Sequence, residues 1–396
     1  ELTRRFRQQQ QFSTGYSPLY AALFGILARW LAQRPEDPVV RWLLQASADR
    51  PAFDVTNLLA AALHYEVLAG HTAVSDLAGY YPSTAEAQPA GPLINAGDYE
   101  ADIASDRFAR ALRQTILARK PALTAFLQTK SVQTNETGRG IAWLLPVCLA
   151  GWNKIHLLDL GASAGLNLIA EQRSYQFVDG LNGASLATFG LASPVQFVVQ
   201  VHGKLPQELL DANCPLQILS RTGYDKHPFH LNTANDERIL RSFIWADQIE
   251  RMQRLREAVL AFRGVQSGDV PVRLARTSLP QDLPLLLDQL PQHRQEPLVI
   301  YNTYVKIYLP HKGAKLRHMI SAWAEKQNRP VVWIQWEPPQ FTSLKGKRAP
   351  HIGWLAWTAD IWHNMKHNHY HLAWVHPHGR ELQFLSGLDA WISNRS

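Results

Sequence analysis

The first third of the chain carries the hydrophobic spacing of helices. Ser17 can cap a helix that begins with Pro18, and apolar residues within 19–31 then recur at positions i, i+4, i+7 and i+8. Two further stripes of this kind follow, separated by a stretch at 80–97 that is rich in Pro, Gly and Ala. The pattern predicts an all-helical N-terminal domain over residues 1–130, with 80–97 as a long loop.

Beyond Gly151, short apolar runs alternate with amphipathic stretches. The runs lie at 155–160, 216–220, 272–277, 298–305 and 331–336. Strands separated by helical crossovers predict a parallel sheet that is covered on both faces. The clearest amphipathic stretch runs from Asp236 to Gly264 and predicts one long helix between two of the strands.

The last strands follow a different pattern. The runs at 352–362 and 370–377 are too close for a crossover helix and predict an antiparallel hairpin. An irregular segment at about 172–215 predicts a β-rich insertion. The predicted fold class is therefore α/β, with a Rossmann-like sheet over residues 131–396 that ends in the antiparallel hairpin, next to the helical domain.

Composition narrows the class of protein. Hydrophobic residues make up 46% and charged residues 18% of the 396 positions, which favours a folded chain over a disordered one. The net charge of +7 mildly favours anionic partners. The two cysteines, Cys148 and Cys214, lie among apolar residues and predict no disulfide framework, hence a reducing, cytoplasmic setting. No signal peptide and no membrane span is expected, since the longest apolar run, 141–152, is too short.

Candidate chemistry concentrates in LLDLGASAGLNL, at 157–168. Within it, GASAG fits the G-x-S-x-G nucleophile elbow of a serine hydrolase, with Ser163 as the nucleophile. Asp159 at the end of a predicted strand, followed by two glycines, also fits a loop that binds a nucleotide-like cofactor. The hydrolase is disfavoured because an elbow normally follows several strands, and because Asp159 would stand near the developing oxyanion.

The glycine spacing decides among cofactors. It is not G-x-G-x-x-G, so NAD and FAD are disfavoured. Acid-x-Gly-x-x-x-Gly on the first strand of a sheet is the pattern of S-adenosylmethionine-dependent methyltransferases, and a tight turn that binds nothing is the alternative. The loop therefore favours S-adenosylmethionine as the cofactor, with S-adenosylhomocysteine as the product.

Seven motifs together resemble a bacterial family known as domain of unknown function 2332, which is similar to class I methyltransferases. They are SPLY (17–20), YYPS (80–83), VQTNETGR (132–139), LLDLGASAGLNL (157–168), RTGYDKHP (221–228), SFIWADQIERMQRL (242–255) and VHPHG (375–379). The resemblance covers nearly the whole chain and implies a methyltransferase-like sheet. It is an analogy at the level of fold, and fold alone does not fix function.

The methyltransferase hypothesis assigns cofactor-binding roles to three groups of residues. Asp159 would accept from the methionyl ammonium, and Asp225, in GYD after the strand at 216–220, would bind the ribose hydroxyls, with a turn-capping aspartate as the alternative. The remaining candidates are Gly161, Ala162, Ser163 and Gly165 in the loop, and Gln133, Asn135, Glu136 and Arg139 in the preceding segment, whose alternative role is to begin a helix.

Catalytic candidates lie where later strands end. Asn302 and Tyr304 follow the strand at 298–305, and Glu337 follows the strand at 331–336. An acidic residue at the end of the third strand, frequent in methyltransferases, is replaced by Thr277. Methyl transfer depends mainly on positioning, so a strong catalytic base is not required.

Two further clusters have weaker functional interpretations. The imidazoles of His367, His369 and His371 share one strand face, but no familiar set of metal ligands accompanies them, so no metal site is predicted. Basic residues at 306–318 and 345–348 suggest nucleic acid as a candidate partner, with a solvated helix face as the favoured alternative.

Three functional hypotheses remain open from the sequence. The first is an S-adenosylmethionine-dependent methyltransferase that acts on a small molecule or another acceptor. The second is a non-catalytic binding or regulatory protein that retains the fold. The third is a serine hydrolase that uses Ser163.

Overall fold

The computed structural model describes residues 1–84, 96–133, 135–191, 196–209, 214–290, 295–342, 344 and 348–393, and side chains 96–98 are not described. The chain forms two compact units. Glu1–Thr134 and Leu231–Leu255 make up the helical unit, and Asn135–His230 and Arg256–Ser396 make up the sheet unit. The sequence prediction placed the whole of 131–396 in one domain, whereas 231–255 clusters with the N-terminal helices.

Thirteen α-helices lie in the described part of the chain. They are α1 (Leu2–Ser13), α2 (Pro18–Gln33), α3 (Pro38–Ala46), α4 (Ala52–Leu68), α5 (Ser75–Ala78), α6 (Ala96–Ala104), α7 (Asp106–Thr129), α8 (Ile141–Leu149), α9 (Ala234–Ser242), α10 (Ile249–Gln266), α11 (Leu283–Asp288), α12 (Ala314–Ala324) and α13 (Ser386–Ser393). The described residues before Lys130 form helices and turns without a strand, as the hydrophobic spacing predicts. The side chain of Ser17 accepts from the backbone N–H of Tyr20 and caps α2 as expected.

The helix predicted from Asp236 to Gly264 is interrupted, so that prediction is wrong in part. α9 ends at Ser242 and α10 begins at Ile249. Within the gap, the Trp245 ring stacks on Tyr20 at 4.9 Å, and Asp247 accepts a hydrogen bond from the Ser17 hydroxyl. Tertiary contacts of the connecting segment therefore override its helical spacing.

Eleven strands form one mixed, mostly parallel sheet in the described part of the sheet unit. They are β1 (Lys154–Leu160), β2 (Ser174–Asp179), β3 (Ser185–Gly190), β4 (Gln196–Val201), β5 (Gln217–Asp225), β6 (Val272–Arg276), β7 (Leu298–Thr303), β8 (Val331–Glu337), β9 (Leu355–His363), β10 (Lys366–Val375) and β11 (Glu381–Phe384). Their order is β3-β2-β4-β11-β10-β9-β8-β7-β1-β5-β6.

The five strands from β6 to β8 in this order are parallel to one another. After β1 the chain first forms β2, β3 and β4 at the far end of the sheet. It then forms β5 and β6 on one side of β1, and β7 and β8 on the other. The direction of winding therefore reverses between β1 and β7. In open α/β sheets, ligands bind outside the carboxyl ends of the strands at such a reversal.

The end of the sheet differs from this parallel part. β9 pairs antiparallel with both β8 and β10, which confirms the predicted C-terminal hairpin. The segment predicted as a β-rich insertion supplies β2, β3 and β4. These strands join the same sheet through the parallel pairing of β4 with β11, so they extend the sheet rather than leave it.

The cysteine prediction is wrong, because a disulfide joins Cys148 to Cys214. Cys148 lies in α8, and Cys214 precedes β5. The pairing of β5 with β1 begins at Gln217, whose backbone N–H donates to the carbonyl of Asn153. This register brings the two Cα atoms to 5.3 Å, although the residues are 66 positions apart. No helix within the described ranges is long and apolar enough to cross a membrane.

Candidate functional site

The candidate residues of the sheet unit gather at one edge of the sheet. β1, β5, β7 and β8 are parallel, so their carboxyl ends meet there. β10 runs in the same direction, because it is antiparallel to β9 and β9 is antiparallel to β8. This edge holds Asp159, Asp225, Tyr304, Glu337 and the turn that follows β10.

The loop after β1 is held by its own backbone. Gly161 has a φ of 103°, and a Cβ there would lie 2.4 Å from a methyl carbon of Val305, so the glycine lets the loop after β7 approach closely. Gly165 also has a positive φ, of 73°, and Ser163 has a φ of 50° that is uncommon for a residue with a side chain. The turn is therefore as sharp as the glycine pattern predicts.

All five backbone N–H groups from Gly161 to Gly165 donate within the protein. Those of Gly161 and Ala162 donate to the carbonyl of Tyr224, that of Ser163 to Asp225, that of Ala164 to Asn135 and that of Gly165 to the carbonyl of Ala162. A loop that cradles a phosphate presents its N–H groups to the ligand. In this loop the N–H groups donate to acceptors within the protein instead. A ligand bound here would therefore contact side chains rather than backbone amides.

Asp225 acts as a capping residue in this structure. One carboxylate oxygen accepts from the backbone N–H of Ser163 at 2.8 Å, and the other accepts from the backbone N–H of His227 at 2.8 Å. The carboxylate thus holds the β1 loop to the end of β5. A role toward ribose hydroxyls would use the remaining lone pairs of the same oxygens.

Asp159 is buried beside a tyrosine. Its carboxyl accepts a hydrogen bond of 2.5 Å from the hydroxyl of Tyr301, which is directly opposite on β7. Burial raises the pKa of Asp159 to about 7, the Tyr301 hydroxyl opposes that rise and the negative charge of Asp225 adds to it. Asp159 therefore changes its charge near neutral pH.

The segment before α8 contacts both the loop after β1 and the turn after β10. The Asn135 side chain accepts from Ala164 at 3.3 Å, the Glu136 carboxylate lies 3.0 Å from Nδ1 of His378, and Nε of Arg139 donates to the carbonyl of Pro377 at 2.9 Å. Burial, with the nearby Arg380 and His378, lowers the pKa of His376 to about 3.

Gln133 belongs to the helical unit, and the neighbouring Thr134 lies outside the described residues.

Tyr304 connects this segment to the end of β7. The guanidinium of Arg139 lies over the Tyr304 ring, with the carbon at 5.1 Å from the centroid. Tyr304 has a φ of 61°, and its backbone N–H donates to the carbonyl of Trp336. Burial raises the pKa of its hydroxyl, which the Arg139 charge opposes. A left-handed tyrosine at the carboxyl edge is a strained position, of the kind that concentrates at functional sites.

Glu337 is fully buried and holds the loop after β7. One carboxylate oxygen accepts from the Asn302 amide at 2.6 Å and from the backbone N–H of Val305 at 2.8 Å, and both oxygens lie 3.2 Å from the backbone N–H of Lys306. Burial raises the pKa of Glu337, and these donors and the Lys306 charge oppose the rise. The carboxylate is thus arranged to position a loop rather than to face a substrate.

Lys306 is buried, which corrects its sequence assignment to a solvated basic patch. Its ammonium donates to the carbonyl of Phe341 at 3.0 Å and lies 4.9 Å from the Trp333 ring centroid. Burial lowers its pKa to about 8, with repulsion from Arg317 adding to the effect and Glu337 opposing it. Lys345 and Lys347 of the second predicted basic loop lie outside the described residues.

Thr277, which stands where methyltransferases often have an acid, follows β6 and is buried. Its backbone N–H donates to the carbonyl of Asp225. Within the described ranges, its hydroxyl oxygen has no hydrogen-bond partner. A ligand hydroxyl or amine at the edge of β6 would supply one.

The histidine run lies on β10 against a buried carboxylate. His367 and His369 both contact one oxygen of Asp360, at 3.0 and 2.7 Å, and Nε2 of His369 lies 3.1 Å from Nε2 of His371. Burial alone would raise the pKa of Asp360. His367, His369 and Arg317 together have the larger effect and lower this pKa below its ordinary value. Among the described residues, no group of three or more His, Cys, Asp or Glu side chains is placed to hold a metal ion.

Sequence reasoning did not identify Tyr301, His376 and His378 as site residues. In the sequence, Tyr301 is one more position in an apolar strand. Only the pairing of β7 with β1 shows that its hydroxyl donates to Asp159. His376 and His378 lie in the VHPHG motif, whose place beside the segment before α8 depends on the strand order and not on any local pattern.

Comparison with known proteins agrees with the motif set. A family model described as an uncharacterized protein conserved in bacteria, domain of unknown function 2332, matches residues 3–384. No curated protein matches the chain. Since the match spans nearly the whole chain, this protein belongs to the domain of unknown function 2332 family.

Proposed function

We propose that this protein binds S-adenosylmethionine at the carboxyl edge of its sheet and transfers the methyl group to an unidentified acceptor. The observation that supports this best is the position of the β1 loop. It follows Asp159, near the end of β1, and stands beside the reversal between β1 and β7, where ligands of open α/β sheets bind.

The donor set at this edge fits the amino-acid part of the cofactor. Asp159 offers a buried carboxyl group for an ammonium. Within the described part of the chain, the amide nitrogen of Asn135 has no hydrogen-bond partner, although its oxygen is bonded to the β1 loop, so it can donate to a carboxylate. When bound, the sulfonium supplies an activated methyl group, and the protein contributes binding, orientation and exclusion of water.

Within this proposal, the three catalytic candidates have different tasks. Tyr304 is the one placed to touch an acceptor, because it is only half-buried at the edge and its hydroxyl stays protonated. Asn302 and Glu337 act through the loop that carries Tyr304, since the Asn302 amide donates to Glu337, and Glu337 accepts from the backbone N–H groups of Val305 and Lys306. They are positioning residues.

The test is a calorimetric titration with S-adenosylmethionine and S-adenosylhomocysteine. Asp159→Asn keeps the shape and the acceptor oxygen for Tyr301 but cannot carry charge, and the exposed Asp288→Asn is the matched control. We expect binding to the wild type and the control, weakened about 10-fold or more by Asp159→Asn, since a hydrogen bond to a charged group is lost. Absence of binding to a folded wild-type protein would contradict the proposal.

A non-catalytic binding module is the second candidate, and one observation favours it. The amides of the β1 loop and the carboxylate of Asp225 are already engaged within the protein. A module of this kind would bind a ligand at the edge without turnover. Cofactor binding, combined with no methyl transfer to any small-molecule or nucleic-acid acceptor offered, would favour it over the enzyme.

A serine hydrolase is the third candidate, favoured by the positive φ of Ser163, which nucleophile elbows share. Ester hydrolysis that is lost in Ser163→Ala, with cofactor binding unchanged, would place this activity first. The cytoplasmic location stays a prediction, and the Cys148–Cys214 disulfide weighs against it because disulfides persist mainly in oxidising compartments.

A further inference from the structure

Three motifs that have no part in the sheet site meet within the helical unit. SPLY begins α2, YYPS follows α5, and WADQ connects α9 to α10. Tyr20 of the first motif stacks on Trp245 of the third at 4.9 Å, and its ring lies 6.4 Å from that of Tyr81 in the second. The backbone N–H of Ala246 donates to the Tyr20 hydroxyl at 3.3 Å.

The carboxylate of Asp247 lies beside these motifs. Ser17 donates its hydroxyl proton to one oxygen of Asp247. The negative charge of Asp247 acts on the hydroxyls of Tyr20, Tyr81 and Tyr99 and, after burial, contributes to raising the pKa of each. The geometry places Tyr20 next to Asp247, because its hydroxyl accepts from the backbone N–H of Ala246, and Tyr81 next to Tyr20. We call Ser17, Tyr20, Tyr81, Tyr99 and Asp247 the tyrosine–carboxylate cluster.

The Asp247 carboxylate interacts with the first turn of α2, through the Ser17 hydroxyl and the backbone N–H of Leu19, and burial raises its pKa. In the described ranges, no Lys, Arg or His pairs with Asp247, its Oδ1 atom is buried, and that atom has no hydrogen-bond partner. The hydroxyl of Tyr81, a residue that is 1% exposed, likewise has no partner there. A buried polar atom without a partner is costly, and native proteins satisfy the large majority of such atoms.

We propose that the tyrosine–carboxylate cluster binds the ammonium group of a small organic amine. A cation restores charge balance at Asp247, and its N–H groups supply donors for Oδ1 and for the oxygen of Tyr81. Aromatic rings around a carboxylate favour an organic ammonium, which they attract through their faces. Calcium and magnesium ions require about six oxygen ligands, usually from several carboxylates, and the cluster offers one carboxylate.

The site is separate from the proposed cofactor site, since its residues all belong to the helical unit. Asp247 is only partly buried as a residue, although its Oδ1 atom is buried. An experiment that contradicts the amine-binding proposal therefore leaves the methyltransferase proposal untouched, and the reverse also holds.

The experiment is a calorimetric titration of the full chain with butylammonium chloride. Potassium chloride and n-butanol, titrated in parallel, test an inorganic cation and a neutral molecule of similar size. The variants are Asp247→Asn, which removes the charge, and Tyr81→Phe, which removes one hydroxyl. The exposed Asp49→Asn in the same unit is the matched control. Circular dichroism verifies that each variant is folded.

We expect saturable binding of butylammonium, weakened about 10-fold or more by Asp247→Asn and about 2- to 10-fold by Tyr81→Phe, and unchanged by Asp49→Asn. Three results would overturn the proposal. They are no saturable binding of butylammonium by the folded wild type, equal affinity in Asp247→Asn, and equal binding of potassium or n-butanol. Tyr81→Phe keeps the test decisive if Asp247→Asn does not fold.

Discussion

Asp159 gives the sheet unit a stability that depends on pH in a predictable direction. Burial raises the pKa of its carboxyl group from 3.8 to about 7 in the folded protein. In the unfolded chain the group ionises near 3.8, so the folded state retains a proton that the unfolded state has lost. Stability from this group is therefore fully present below about pH 4 and is lost as pH rises through about 7.

The size of this effect follows from the two pKa values. Each pH unit within the window changes the free energy of unfolding by about 1.4 kcal/mol, and the change tapers off above the folded pKa. Between pH 5 and pH 8 the loss amounts to about 2–3 kcal/mol. Because Asp159 is buried, solvent screening does not reduce this figure as it would at the surface.

The measurement compares wild-type protein with Asp159→Asn by urea unfolding at pH 5 and pH 8. The amide cannot ionise, but its oxygen can still accept from the Tyr301 hydroxyl. We expect the variant to gain about 2–3 kcal/mol relative to the wild type between the two pH values. The exposed Asp288→Asn should show no such gain. A wild-type-to-variant difference that is the same at both pH values would refute the assigned pKa.

Three further predictions concern the same unit. S-adenosylmethionine affinity should fall about 10-fold per pH unit below pH 7, because an ammonium needs the ionised Asp159, and calorimetry at pH 6 and pH 8 would measure this. Glu337→Gln should lower the free energy of unfolding by about 2–3 kcal/mol, since a neutral amide oxygen replaces the charged oxygen that accepts from three donors, whereas the exposed Glu325→Gln should leave it unchanged. Reduction of the Cys148–Cys214 disulfide, which closes 66 residues, should cost about 4 kcal/mol in the chain-entropy model, and two free thiols in protein purified without reductant would contradict the bond.

Much of the secondary structure was predictable, because it depends on local patterns. The five parallel strands coincide with the apolar runs, and the hairpin of β9 and β10 follows from the short separation of two runs. The split of the helix at Ser242–Ile249 was not predictable from spacing. It depends on Trp245 and Asp247, whose partners Tyr20 and Ser17 lie more than 200 positions away in the sequence.

The site was predictable only in part, for a related reason. Strand ends and glycine spacing correctly identify polar residues that share one edge, such as Asp159 and Glu337. The sequence cannot reveal which hydrogen bonds each of these side chains forms within the protein. Glu337 appears in the sequence as a carboxylate free to act on a substrate, whereas the structure surrounds it with one donor from β7 and two from the loop that follows.

The distribution of engaged and unengaged groups at the carboxyl edge bears on which functional hypothesis is stronger. Backbone N–H groups of the β1 loop are engaged, so the loop is rigid before any ligand arrives. Among the described residues of this edge, available side-chain groups include the Asp159 carboxyl, the Asn135 amide nitrogen and the Thr277 hydroxyl. A glycine loop that binds a phosphate does so through its amides, whereas an amino-acid group is bound by a carboxylate and a side-chain donor. The edge is thus suited to a ligand with an ammonium and hydroxyl groups, and this favours S-adenosylmethionine over a phosphate-bearing nucleotide.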